Sequence, residues 1–369
     1  MAKIGFLSHS DMSIYHFRTP IMRALKNMGH DVYAICPNGE FVAELRKEFD
    51  VVLYELNKSS LNPFVVLSNT NKLAKIIKKL DLDLIQTSAH KSNVFGTFAA
   101  KKAGVKKILN LVEGLGSFYI DSDIKTKIIR FMIEILYKKS LRLSDGCIFV
   151  NKSDPKYFLQ QGLIQNDKVF CISSVGVDTS KFYPKQYRDF KQKKMVLMVA
   201  RAILHKGVRE YYQASKMLSL RNDCEFVYIG DNFDGNKSSL DIEFLNSSNV
   251  KYLGARNDVC DILRDAYMLV LPSYKEGFPR TILEAMSCGV AVVAGDVDGC
   301  NEAVIDGFNG LLCKVRDSKD LAKKIEVLLD DEKLALELGK NGRKLAVQEF
   351  DENIIAQKYI ELYRKFIDV

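Results

Sequence analysis

Short apolar runs of about six residues alternate with longer runs of helical period along the whole chain. Lys3–Ser8 reads as a first strand, residues 17–28 as a helix ending before Gly29, and Asp31–Cys36 as a second strand. The alternation continues with a strand over 51–56, a helix over Pro63–Leu80 and strands over Leu84–Ser88 and 108–112. A helix over Ile124–Leu143 and a strand over 147–151 close this half. The polar run 185–194 interrupts the rhythm, which restarts with strands over 195–200, 225–230, 250–254, Met268–Leu271 and 290–294. A helix is expected from Glu210, another over 281–288 closed by Gly289, and a last one over 352–367. Strands alternating with helices predict parallel, doubly wound α/β sheets. The polar break predicts two Rossmann-like domains, 1–185 and 186–350, with residues 351–369 as a C-terminal helix packing back towards the first.

Composition agrees with that reading and narrows it. A chain of 369 residues, 47% hydrophobic and 27% charged, is long for one core and ordinary for a globular enzyme. The N-terminus turns polar too quickly for a signal peptide, and no apolar run approaches the ~20 residues of a spanning helix. Eight cysteines without a CxxC pair read as reduced thiols of a cytoplasmic protein, and five histidines form no metal-ligand cluster. The net charge of +8 is uneven: residues 1–185 carry +10 and the remainder −2. A basic surplus in one half fits an anionic partner, with an anionic membrane surface, a phosphorylated acceptor and nucleic acid as the candidates. Nucleic acid is disfavoured because aromatic-rich RNA-binding motifs are lacking. Lys101, Lys102, Lys106 and Lys107 form one basic patch, and the amphipathic 124–143 helix, with its Lys and Arg side, forms another.

Candidate chemistry gathers where strands end. Pro272-Ser-Tyr-Lys-Glu-Gly-Phe-Pro-Arg-Thr-Ile-Leu-Glu284 lies between a buried strand and a helix, with Glu276 in the loop and Glu284 one turn into the helix. Carboxylates there can hold sugar and ribose hydroxyls while the helix start faces a diphosphate. Arg201 and Lys206 flank the turn after the strand at 195–200, where two fixed cations suit a departing diphosphate. Glu113, before Gly114-Leu-Gly116, and His90 also sit at strand ends. The first turn, from His9 to His16, contains no glycine, which argues against a dinucleotide cofactor, and no Walker-type loop supports ATP hydrolysis. The three Asp-x-Asp pairs, at Asp81, Asp121 and Asp296, read as chance occurrences.

Taken in order and spacing, these pieces carry a family resemblance. Gly176-Val-Asp178, Arg201 with Lys206-Gly207, Tyr252-Leu-Gly254, Glu276-Gly-Phe-Pro-x4-Glu284, Glu302, Asp306-Gly307 and Asn309-Gly310 resemble the retaining GT-B glycosyltransferases of family 4. The likeness spans nearly the whole chain and implies two Rossmann-like domains facing a central crevice. Tyr15-His-Phe-Arg18, Ser59-Ser-Leu-Asn-Pro-Phe64, Ala89-His-Lys-Ser-Asn93 and Val112-Glu-Gly-Leu-Gly-Ser-Phe-Tyr119 resemble a narrower branch, from bacterial protein N-glycosylation. That branch extends diacetylbacillosamine on diphospho-undecaprenol with N-acetylgalactosamine.

By this resemblance Arg201 and Lys206 bind the donor diphosphate, and Glu276 with the Gly277, Phe278 and Pro279 backbone lies along the donor sugar. Thr281 and Ile282 offer N–H groups to the phosphates, and Glu284 holds the ribose. The family is metal-independent and uses no cofactor; the partners implied are UDP-GalNAc, a polyprenyl-diphosphate-linked sugar and the membrane surface. The expected location is the cytoplasmic face of the inner membrane, with peripheral attachment. Acceptor contacts are expected from Ser13, His16, Arg18, His90 and Lys91. The chain departs from the family at two places: Met12-Ser13 replaces a Gly-Gly loop, and Glu113 replaces a histidine that contacts the donor sugar. The rival readings are a family 4 transferase of lipopolysaccharide, O-antigen or capsule synthesis, and a UDP-sugar epimerase. A phosphorylase would need a pyridoxal-bearing lysine, which no motif marks.

Overall fold

The computed structural model describes residues 1–55, 63–116, 119–120, 123–186, 193–232 and 238–368. Of the expected motifs, Ser59 to Asn62, together with Ser117, Phe118, Asp121 and Ser122, lie outside these residues. The chain forms two compact units, Met1–Ser173 with Asn353–Val369, and Ser174–Glu352.

In the first unit seven parallel strands, β1 (Lys3–Ser8), β2 (Asp31–Cys36), β3 (Asp50–Leu53), β4 (Leu84–Ser88), β5 (Lys107–Val112), β6 (Gly146–Phe149) and β7 (Val169–Cys171), order as β3-β2-β1-β4-β5-β6-β7. In the second, β8 (Lys194–Val199), β9 (Cys224–Ile229), β10 (Lys251–Tyr252), β11 (Met268–Leu271), β12 (Ala291–Gly295) and β13 (Leu311–Cys313) order as β10-β9-β8-β11-β12-β13. Each sheet reverses its direction of winding once, between β1 and β4 and between β8 and β11. A parallel sheet opens a cleft at such a point, beyond the carboxyl ends of its strands. The loops that follow these four strands therefore decide where ligands meet the fold.

Burial on both sheet faces explains the continuous apolar strands. Leu7, Ile35, Ile85 and Ile108 pack with Leu73 and Ile77 of the Pro63–Leu80 helix on one side of the first sheet. Val112, Tyr137, Leu141, Phe149 and Phe158 form a second cluster in this unit. In the other unit Val196, Met198, Phe226, Val270 and Val293 pack against Tyr211, Leu321 and Ile325.

Three expectations change. The helix expected over 17–28 is two helices, Asp11–Phe17 and Thr19–Asn27. Pro20, near the start of the second, has no N–H to continue the first, and the chain turns at Arg18. The first turn is consequently helical from Asp11 on. The edge strands β7 and β13, three residues each, were too short to show a period. Finally, residues 174–185 belong to the second unit rather than the first. Val177 exchanges backbone hydrogen bonds with Phe350 and Glu352 (2.9 and 3.0 Å), and the Phe182 carbonyl accepts from Ser287 Oγ (2.5 Å) and Arg343 (3.0 Å). The C-terminal segment from Asn353 completes the first unit: Tyr363 donates to Gln86 Oε1, and its ring meets Phe6 edge-on at 6.5 Å.

Candidate active site

In the second unit the loops after β8 and β11 face each other across the reversal point. Gly207 sits at φ +74°, and a Cβ there would collide with the Pro272 carbonyl oxygen. Glycine thus permits both a left-handed turn and a close approach of the two loops. Lys206, just before it, donates from Nζ to Glu276 Oε1 at 2.5 Å. Ser273 Oγ donates to the same oxygen at 2.6 Å. Because both bonds fall on Oε1, Oε2 remains for a hydroxyl. The pair is largely desolvated, with side chains 20% and 9% exposed, and Arg201 lies exposed at the other end of the turn.

The chain continues from Glu276 through Gly277 to the buried Phe278 and Pro279, then enters the Arg280–Ser287 helix. Phe278 packs on Phe350 with ring centroids 5.6 Å apart, which fixes the loop's exit. Gly299 presses on the Gly277 carbonyl at φ +80°, where no side chain would fit. The helix's first turn presents N–H groups without intrahelical acceptors. Ile282 N–H donates to the Pro279 carbonyl (3.2 Å), leaving Thr281 as the first-turn donor of the expected two. Glu284 accepts from Arg280 Nε at 3.1 Å, one turn earlier. Burial holds its carboxyl above the usual carboxylate range, and Arg280 offsets this only in part.

In the first unit Arg18, at the helix break, bonds through Nη2 to Glu113 Oε1 beyond β5. Arg18 is 2% exposed, so it reaches a ligand only through Glu113, which is 23% exposed. Burial opposes its charge, but Glu113, Tyr359 and Tyr363 outweigh that and raise its pKa. His90, after β4, is committed within the unit: Nε2 meets the Leu115 carbonyl at 3.1 Å and Nδ1 meets Tyr137 Oη at 2.8 Å. A carbonyl only accepts, so Nε2 carries the proton and Nδ1 accepts from the tyrosine. Burial pushes this histidine below its ordinary pKa and keeps it neutral. It ties the Gly114–Gly116 turn to the Ile124–Leu143 helix. Lys91 beside it is half-buried, with its ammonium pKa lowered by burial. Ser13 and His16 lie on the Asp11–Phe17 helix, Ser13 half-buried and His16 exposed, its ring edge-on to Phe41 at 4.9 Å.

Sequence reasoning missed Ser273, Arg280 and Tyr137, which orient Glu276, Glu284 and His90. The i, i+4 spacing of Arg280 and Glu284 was the one available signal. Among the described residues no three His, Cys, Asp or Glu side chains gather as a metal-binding set. Asp83 instead pairs with Lys106 (2.7 Å) and Asp296 accepts from Asn301 (3.0 Å).

Two doubly wound units with a cation–carboxylate cluster at a sheet's reversal point are the architecture of the GT-B class. Residues 3–144 match the glycosyl transferase 4-like family model and residues 179–345 the glycosyl transferases group 1 model. The N,N'-diacetylbacillosaminyl-diphospho-undecaprenol alpha-1,3-N-acetylgalactosaminyltransferase of Campylobacter jejuni is 47% identical over 99% of both chains. The UDP-Gal:alpha-D-GlcNAc-diphosphoundecaprenol alpha-1,3-galactosyltransferase of Escherichia coli is 26% identical, over 96% of this chain and 97% of that one. Among solved structures, Anabaena HepE in complex with UDP and glucose superposes with a TM-score of 0.80 at 20% identity, over 99% of this chain and all of that one. The chain belongs to the retaining GT-B glycosyltransferases of family 4.

Proposed function

We propose that this protein transfers N-acetylgalactosamine from UDP-GalNAc, with retention, to undecaprenyl-diphospho-N,N'-diacetylbacillosamine, forming an α1,3 linkage. The observation that carries this reading is the 47% identity over 99% of both chains to the Campylobacter enzyme of that name. In this reading Arg201 and Lys206 face the donor diphosphate, Thr281 adds an N–H, and Glu284 accepts from the ribose hydroxyls. Glu276 Oε2 and the Gly277–Pro279 backbone hold the transferred sugar, and in the first unit Glu113 stands where the family has histidine. Ser13, His16 and Lys91 remain the acceptor contacts, whereas Arg18 and His90 act through Glu113 and the Gly114–Gly116 turn.

As the sugar–phosphate bond breaks, negative charge grows on the diphosphate, and the two fixed cations stabilise it most at that moment. The departing phosphate oxygen takes the proton of the attacking hydroxyl on the same face, so no side-chain nucleophile is required. The protein works at the cytoplasmic face of the inner membrane, attached from one side. The +10 charge of residues 1–185 and the lipid-linked acceptor of its relative support this. No helix among the described residues is long and apolar enough to cross a membrane.

Incubation with a panel of UDP-sugars, with and without the polyprenyl-diphosphate sugar, tests the reading. Acceptor-dependent UDP release with UDP-GalNAc, giving one added N-acetylhexosamine, is the expected result. Interconversion of UDP-sugars without acceptor, or preference for another donor, would overturn it.

A further inference from the structure

The Ile124–Leu143 helix leaves an apolar face open. Ile124, Phe131, Ile128, Met132 and Ile135 are 78, 64, 56, 50 and 40% exposed. At about 100° per residue these five share one side, and the opposite side buries Tyr137, Ser140 and Leu141. On the same outward side, Lys138, Lys139 and Arg142 continue the line through the last two turns and are exposed. Lys125 and Lys127, also exposed, flank the apolar residues near the start, so the outer face is apolar with basic margins and becomes more basic along its length. The helix carries six basic residues and one acid, Glu134, which accepts from Tyr157 Oη at 2.6 Å. A water-facing helix of a globular protein shows polar residues outward. A segment with apolar and cationic zones in sequence suits an interface between hydrocarbon and anionic headgroups.

Its place in the fold strengthens the case. The helix crosses from the carboxyl end of β5 back to the start of β6, and Tyr137 meets His90 beyond β4. The three turns before Tyr137 hence lie at the end of the sheet that bears Glu113 and Lys91. The other basic patch lies at the opposite end. Lys106 and Lys107 sit where β5 begins, about 20 Å away along the strand. Lys102, Lys106 and Lys107 are also engaged there, with Asn71, Asp83 and Asp145 (2.8, 2.7 and 3.1 Å).

We propose that the N-terminal three turns of this helix insert into the headgroup–acyl boundary of an anionic bilayer through Ile124, Ile128, Phe131, Met132 and Ile135, with Lys138, Lys139 and Arg142 on the headgroups. This deepens, and rests on, the peripheral-membrane reading above. It assigns docking to the helix and not to the Lys101–Lys107 patch. It also joins the lipid contact to the sugar-handling loops, because the same helix holds His90 and the Gly114–Gly116 turn through Tyr137.

The chain contains no tryptophan, so Phe131→Trp creates a single indole reporter. With vesicles of phosphatidylglycerol and phosphatidylcholine its emission should shift to the blue and be quenched by brominated acyl chains. Leu220→Trp, on the other unit and 93% exposed, should show neither. Ile128→Ser/Phe131→Ser/Met132→Ser should lower vesicle partitioning about tenfold or more and slow transfer to the long-lipid acceptor. Its rate with a short soluble acceptor should stay within about twofold. Should Phe131→Trp lose that short-acceptor activity, Ile128→Trp replaces it. Vesicle binding as tight as wild type, with the indole of Phe131→Trp left unquenched, would sink the assignment while leaving peripheral attachment intact. Failure of the wild type to bind vesicles at all would remove the membrane reading itself. A blue shift that depends on protein concentration without lipid would assign the face to a second copy of the chain and overturn the proposal.

Discussion

Lys206→Ala should damage the enzyme twice, and the two losses can be measured separately. Lys206 Nζ lies 2.5 Å from Glu276 Oε1, with the side chains 20% and 9% exposed. Removing one partner of a fully buried pair costs about 3–5 kcal/mol, because the other charge stays desolvated. Here Lys206 touches water and Ser273 Oγ still donates to the same oxygen, so about 2–3 kcal/mol is the reasonable scale. For a unit of this size that lowers the melting temperature of the second unit by about 4–12 °C. The catalytic loss is separate, about 10²–10³ in kcat, the size expected for one preorganised charge contact to a leaving group. Arg201→Ala should lose about 10² in turnover with a stability change near 0.5 kcal/mol, since Arg201 lies exposed. Calorimetry on wild type, Lys206→Ala, Glu276→Ala and the double variant reads the coupling, expected at about 1 kcal/mol or more. Additive single effects would show that the contact does not shape the loop, and near-wild-type turnover in both cation variants would remove them from the chemistry.

Three further outcomes follow from the same geometry. Glu284→Gln should raise the donor KM about tenfold, the scale of a lost charge-assisted hydrogen bond. Because the folded state raises this carboxyl above 4.5, its favourable contribution is complete below that pH and is lost as pH rises through the folded value. The variant should therefore gain thermal stability relative to wild type as pH increases above 4.5, and an unchanged difference across that window would refute the point. His90 is lowered from 6.5, so its contribution is present above that pH and lost on acidification through the folded value. Melts between pH 7.5 and 5 (about that range) should show this loss in wild type and not in His90→Gln, while Tyr137→Phe should cost about 1 kcal/mol at neutral pH. Transfer should proceed at full rate in excess chelator, since Arg201 and Lys206 supply the positive charge; abolition by chelator with rescue by magnesium or manganese would overturn this.

The donor half of the site was legible because its chemistry is local in sequence. Glu276, Gly277, Pro279, Thr281 and Glu284 fall within one strand–loop–helix passage, so the position of the two carboxylates between a strand and a helix start could be read, although their spacing alone is a weak signal and their roles came from the family resemblance. The first unit was harder for a physical reason. Its decisive contacts join residues far apart in the chain: Arg18 meets Glu113 across 95 positions, and His90 meets Tyr137 across 47. No local pattern encodes such pairs. Arg18 looked like a cation for an acceptor and is instead a buried partner of a carboxylate. His90, read from the sequence as a ligand contact, also links a turn to a helix as a neutral side chain. The strands followed their apolar runs closely except at the edges: β7 and β13 were too short to give a period, and the run 250–254 holds only the two-residue β10.

Charge shows the same limit from another side. Counting residues located a surplus of +10 in the first half, but a count has no direction. In a parallel sheet the two ends differ completely: one carries the ligand-facing loops and the other only the entries to the strands. Lys106 and Lys107 belong to the entry end, so a bilayer held there would lie about 20 Å from the loops that must meet a lipid-linked acceptor. The Ile124–Leu143 helix starts at the ligand-facing end, and there its outward side is apolar with basic margins before it becomes more basic. Its apolar residues, read along the sequence, had the density of a core helix. Only the fold shows that Tyr137 and Leu141 fill the core while Phe131 and Ile128 face outward. On the docking proposed for this helix, the attachment surface is set by the end of the sheet at which the helix begins, and net charge contributes only once that end is known.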